Sequence, residues 1–145
     1  MGHDQIAAQW RDEGACRCAE YLYQKTYCTD LDFDGYGTLE DWFQTQYCMI
    51  TGQKKDGMEC AKDNTNLNWS LYDWQEKDPM GYSDVYYKGG SLFYEMEQRM
   101  GEQKSRQALR EYVRTFAYGM VDTEQFRQFW LGKGDFSKLF ALYWK

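Results

Sequence analysis

Apolar residues recur at helical spacing along most of this chain. Ala15, Cys18, Ala19 and Leu22 stand at i, i+3, i+4 and i+7, which predicts a helix from about Ile6 to Tyr27. Gly14 falls inside that run, a cost in helix propensity unless another backbone comes close there. Leu39, Trp42, Phe43, Tyr47 and Ile50 form a second stripe. A third runs through Val85, Gly89, Leu92, Phe93, Met96 and Met100, with Ser83 or Asp84 as its cap and Gly101 as its stop. The adjacent Gly89 and Gly90 again argue for a close neighbour. Lys104 to Tyr118 carries Leu109, Tyr112, Val113, Phe116 and Ala117 on one face and ends at Gly119. Asp122-Thr123-Glu124-Gln125 reads as a capping-box start leading into Phe126, Phe129 and Trp130. Asp135 can cap a last helix bearing Phe136, Leu139, Phe140 and Tyr143.

The pattern lapses between Thr51 and Pro79, where Lys54-Lys55-Asp56-Gly57 and Asp63-Asn64-Thr65-Asn66 are loop composition. Leu67, Trp69, Leu71, Tyr72 and Trp74 are apolar enough to lie back on the core as an extended segment or a single helical turn. The expected fold is all-α, an irregular bundle of five to seven helices. It is one domain over 1–145: N-terminal helices in 1–51 with an acidic loop at 30–41, an irregular connection over 52–82, and C-terminal helices in 83–145.

Composition agrees with helices packed through rings. Nineteen per cent of residues are aromatic, against two Ile and three Val, too few β-branched residues for a sheet. A net charge of −6 speaks against a nucleic-acid partner. No apolar run approaches membrane-spanning length, so no membrane partner is expected. The N-terminus shows no apolar signal region, and a cytoplasmic protein is expected. The five cysteines, Cys16, Cys18, Cys28, Cys48 and Cys60, include no C-x-x-C pair, and one His is available to join them. They read as small buried hydrophobes, and their odd number points to a reducing compartment without a complete disulfide framework. No P-loop, G-x-S-x-G or nucleophile triad is present.

Two stretches carry candidate chemistry. Asp30-Leu31-Asp32-Phe33-Asp34-Gly35-Tyr36-Gly37-Thr38-Leu39-Glu40-Asp41 has the register of a twelve-residue EF-hand loop. Asp30, Asp32 and Asp34 fall at positions 1, 3 and 5, Gly35 at the turn, the Tyr36 carbonyl at 7 and Thr38 at 9. Position 12 is Asp41, where a bidentate Glu normally closes the cage, and no second hand is found. The loop is a candidate calcium site; the alternative is an acidic turn in which Thr38 or Asp41 caps the following helix.

The other stretch is split. Trp10-Arg11-Asp12-Glu13-Gly14 with Arg17-Cys18-Ala19-Glu20-Tyr21-Leu22-Tyr23, and later Val85-Tyr86-Tyr87-Lys88-Gly89-Gly90 with Met100-Gly101-Glu102, Ala108-Leu109-Arg110, Tyr112 and Tyr118, together resemble the membrane-alanyl-aminopeptidase-like gluzincin zinc metallopeptidases. The resemblance implies the C-terminal lobe of a thermolysin-like catalytic domain. It puts the third zinc ligand on Glu13 and, on Tyr86, the hydroxyl that donates to the oxyanion of the tetrahedral intermediate. Zinc, in the family, polarises the scissile carbonyl and activates water. The other two ligands and the general base belong to an H-E-x-x-H helix upstream of the Glu, and the family spacing would place it before residue 1. His3 cannot replace it. Arg11 stands where the family usually has an apolar residue, Cys18 where it often has an aromatic one, and Gly90 where it has Ala.

The reading is therefore the distal half of such a domain, lacking its zinc helix, with zinc itself absent and catalysis silent in the isolated chain. Its partners would be a peptide substrate, as in the parent family, and the missing lobe or a second copy of itself. A calcium-binding helical module on residues 30–41 and a helical interaction domain without metal are the alternatives.

Overall fold

In a computed structural model, residues 2–3, 7, 9–28, 37–52, 60–63, 66–79 and 84–144 are described. Among them lie seven helices: α1 (Trp10–Tyr27), α2 (Leu39–Thr51), α3 (Leu71–Lys77), α4 (Asp84–Met100), α5 (Glu102–Thr115), α6 (Thr123–Leu131) and α7 (Ser137–Tyr143). The fold is an irregular all-α bundle. Its sheet content among the described residues is one short parallel pairing of β1 (Gly2–His3) with β2 (Met120–Val121).

Helices α1 and α4 form the spine. They run side by side in the same direction: Gly14 meets Gly89, the Tyr21 and Tyr94 rings lie 5.6 Å apart, and Lys25 Nζ stands 2.9 Å from Glu97 Oε1. At the first of these crossings the two backbones touch. A Cβ on Gly14 would fall 2.6 Å from the Gly89 carbonyl carbon, and a Cβ on Gly89 2.7 Å from the Trp10 oxygen. The glycines read from sequence as sites of close approach therefore approach each other. Helix α2 crosses beside them, with the Phe43 ring filling the space a Gly90 side chain would need. A small core of Tyr21, Leu39, Phe43 and Tyr94 closes that side.

The main core lies on the opposite side and is built of rings, as the composition predicts. Phe126 of α6 is fully buried and meets Trp10, Phe93, Tyr112, Trp130, Phe140 and Trp144. Most contacts are edge-on, the arrangement that ring quadrupoles favour. The Asp122 and Gln125 capping box that starts α6 is present: Gln125 N donates to Asp122 Oδ1 at 2.8 Å, and Asp122 N to Gln125 Oε1 at 3.0 Å.

Three local readings change. On α1 the predicted stripe holds at Cys18, which is buried, and at Ala15 and Leu22, which are partly buried against the core, while Ala19 is exposed; Trp10, Arg11, Gly14 and Tyr21 complete the buried face. The buried face of α5 is Ser105, Ala108 and Tyr112, which leaves Val113 outward, and the helix ends at Thr115, before the exposed Ala117. In the stretch read as irregular, Ser70 and Asp73 form a capping box that supports the seven-residue α3 and seats Trp74 in the core. That signal (Ser, two residues, Asp) was in the sequence, masked by the loop composition around it.

The cysteines also divide. Cys48 and Cys60 form a disulfide, their Cα atoms 6.0 Å apart. Cys18 is a buried thiol, and Cys16 and Cys28 are exposed. The reading of all five as small buried hydrophobes is thus corrected, and the bond removes the ground on which an odd count suggested a reducing compartment. Spacing alone could not show it, since the partners stand twelve positions apart across a stretch whose composition carries no pairing signal. Among the described residues, no helix is long and apolar enough to cross a membrane.

Candidate active-site remnant

The α1–α4 crossing brings the two split motifs together. Glu13 precedes Gly14 in the first turn of α1, and Tyr86 lies one turn before Gly89 on α4. Both side chains are half-buried. Arg17, four residues after Glu13 and so on the same helical face, reaches the Tyr86 side of α4. Its stem packs where Gly90 lacks a side chain, a Gly90 Cβ lying only 3.1 Å from Arg17 Cβ. Its guanidinium then lies 5.9 Å from the Tyr86 ring centre and 5.1 Å from that of Tyr87. Glu20 holds the guanidinium at 2.5 Å, and Tyr87 stacks on Trp42 at 5.1 Å. Sequence reasoning gave Arg17 no role; its i+4 spacing from Glu13 was the signal available.

The local electrostatics are acidic at the start of α1. The exposed Cys16 thiol is raised above its usual range by partial burial and by the charges of Asp12 and Glu13, with Arg17 opposing. Cys18 is pushed up to about 12, chiefly by burial. At pH 8 a thiol reagent is therefore expected to label Cys16 and Cys28 and to leave Cys18 untouched in the folded chain, as counted by peptide mapping. Rapid labelling of Cys18 would show that the α1 core is open.

Arg11, which departs from the family's apolar residue, turns inward and is almost fully buried. Its Nη1 donates to Thr123 Oγ1 at 3.0 Å, and that hydroxyl donates to Asn68 Oδ1 at 2.9 Å. The charge ties the start of α1 to the start of α6, so the departure is accommodated by a polar partner.

Of the acidic loop, Asp30, Asp32, Asp34 and Tyr36 lie outside the described residues. Thr38 and Asp41 form the capping box of α2. Asp41 N donates to Thr38 Oγ1 at 3.1 Å, and Thr38 N donates to Asp41 Oδ2 at 2.9 Å. The cap accounts for both residues.

The profile of the Peptidase family M1 domain matches residues 7–139. This chain belongs to peptidase family M1. Comparison with curated proteins finds no match, and neither does comparison with solved structures. The match spans both motifs and the α6 start, in the order in which the M1 chain presents them. M1 is a zinc metallopeptidase family. Among the described residues of this M1 chain, no three His, Cys, Asp or Glu side chains converge on a place that could hold a metal ion.

Proposed function

We propose that this chain is the distal portion of an M1 aminopeptidase-type catalytic domain, with Glu13 as its one zinc ligand and Tyr86 as its oxyanion donor, and that it is silent by itself. The observation that supports this reading is the backbone contact of Gly14 with Gly89. It sets the residue before Gly14 and the residue one turn before Gly89 at the same end of a parallel helix pair, the arrangement a shared site needs. Two further ligands and the general base would have to come from residues other than these, so no catalytic step is assigned to this chain. Its own contributions are the placement of a carboxylate and of a phenol, the latter backed by the Arg17 guanidinium. A peptide substrate, a complementary lobe and self-association belong to the same proposal, as does a cytoplasmic setting.

The test has two arms. The purified chain with added zinc should hydrolyse aminoacyl-anilides no faster than a chelator-treated control; metal-dependent turnover would refute the proposed silence. Fused downstream of an M1 segment that supplies H-E-x-x-H, the chain should complete a zinc site. Glu13→Ala should then abolish tight zinc binding. Tyr86→Phe should keep zinc and lower kcat by about 10²–10³, the usual effect of removing an oxyanion donor. Zinc retained by Glu13→Ala would overturn the ligand assignment.

A further inference from the structure

The last turns of α1 and the first half of α5 border an open groove of about 350 Å³. Helix α1 brings Tyr23, Thr26 and Tyr27 to it, and α5 brings Arg106, Leu109 and Arg110; no carboxylate stands among its described lining residues. Tyr23 and Tyr27 lie one turn apart with ring centres 5.1 Å from each other, and they are 62% and 73% exposed, so both rings are open to a partner. The opposite wall is cationic. Arg106 Nη2 donates to Thr26 Oγ1 at 3.2 Å, which ties the two walls together, and it lies 2.9 Å from Glu102 Oε1. Lys25 meets the same Glu102 at 3.0 Å, so that carboxylate already serves two cations. Arg110 and Arg114 repeat the Arg106 position at one-turn intervals, and both are exposed. Like charges at this spacing repel and weaken a helix. An anionic partner would relieve that cost.

We propose that this groove is a docking site for an extended acidic peptide of a partner protein, in which carboxylate and apolar side chains alternate. Charge complementarity chooses the acid. On a chain of net charge −6, three arginines in a row beside bare rings make a local positive stripe. A guanidinium takes a carboxylate in a forked pair. Spacing chooses the alternation. Arginines one turn apart are separated by about 6 Å along the helix. Every second side chain of an extended peptide is separated by about 6.6 Å and points the same way. Carboxylates at alternate positions therefore keep step with the stripe, and the apolar residues between them turn toward Tyr23 and Tyr27. Tyr and Arg together are also the side chains that most often carry binding energy at an interface. A nucleic acid would use the same groups, but the net negative charge of the chain opposes it.

The experiment titrates a short fluorescein-labelled peptide of alternating glutamate and leucine with the full chain and reads fluorescence anisotropy. The peptide should bind, and its glutamine counterpart should bind at least about tenfold more weakly, the effect of losing charge-assisted hydrogen bonds. Arg110→Gln should weaken binding about tenfold, and Tyr27→Ser at least about fivefold. Arg127→Gln makes the same charge change on the exposed side of α6 and should stay within about twofold of wild type. All three side chains are exposed, so each variant should keep the wild-type melting temperature. No binding at millimolar chain would overturn the proposal. So would equal losses for Arg110→Gln and Arg127→Gln, which would mean diffuse attraction rather than a site. Displacement of the peptide by a lower concentration of single-stranded oligonucleotide would overturn the choice of partner. Self-association of the chain that Arg110→Gln abolishes would do the same, with a second copy as the occupant. The groove lies at the opposite end of α1 from Glu13, and neither zinc nor hydrolysis is read, so failure here leaves the peptidase reading untouched.

Discussion

Phe126→Ala is expected to lower the stability of the chain by about 3–5 kcal/mol, the range for removing a fully buried aromatic ring. The melting temperature should fall by roughly 10 °C for a domain of this size. The reason lies in what the ring joins. Phe126 meets Trp10 of α1, Phe93 of α4, Tyr112 of α5, Trp130 of α6, Phe140 of α7 and Trp144 beyond it, so five helices share one side chain. Neighbours drawn from five elements cannot all move inward to fill one hole, and a site that collapses poorly loses most on truncation. Phe129, half-buried at the edge of the cluster against Tyr112, Phe116 and Trp130, is the control. Phe129→Ala should cost well under half as much. Urea denaturation of both variants checks this through the midpoint at unchanged m-value. A Phe126→Ala loss below about 1 kcal/mol, or a larger loss for Phe129→Ala, would mean that the ring cluster does not hold the bundle together.

Much of this fold was legible because its signals are local. Helical periodicity, the Asp122 and Gln125 box and the Gly101 and Gly119 stops depend on residues a few positions apart, and each predicted a real boundary to within a few residues. The glycines Gly14, Gly89 and Gly90 were legible in kind, as places where something must come close, though not in partner. What sequence could not show was long-range. Arg11 reaches Thr123, Lys88 reaches Asp63, and Cys48 finds Cys60 through folding and not through spacing. On α1 the predicted stripe largely held, with Cys18 buried and Ala15 and Leu22 packed on the core, but Ala19 is exposed and Gly14 takes a place on the buried face because it meets α4. The candidate site lies between these cases. Glu13 and Tyr86 were read from motifs; the approach of Arg17 to the Tyr86 and Tyr87 rings needed the crossing to be seen.

That crossing carries the second large effect. Gly89→Ala should destabilise the chain by about 2–3 kcal/mol, the upper range for an overpacked contact. Helix propensity predicts the opposite sign, a gain of about 1 kcal/mol for Ala over Gly inside a helix. The geometry decides. The added Cβ would lie 2.7 Å from the Trp10 oxygen and 2.8 Å from Gly14 Cα, both backbone atoms, so no side chain can swing away and α1 must separate from α4. Gly119→Ala, where the nearest atom would be 3.7 Å away, is the matched control and should stay within about 0.5 kcal/mol of wild type. Gly14→Ala should behave like Gly89→Ala, because its Cβ would meet the Gly89 backbone at 2.6 Å. The double variant then separates two pictures. One outward shift of α1 relieves both clashes, so Gly14→Ala with Gly89→Ala should cost clearly less than the sum of the single losses, a coupling of about 1 kcal/mol or more. Additive losses would mean that the two glycines do not share a contact, and the support that this crossing lends to the proposed site would fall. In the fused domain the same shift would move the proposed zinc ligand Glu13 relative to the proposed oxyanion donor Tyr86, so Gly89→Ala should lower kcat at temperatures where the variant is still fully folded.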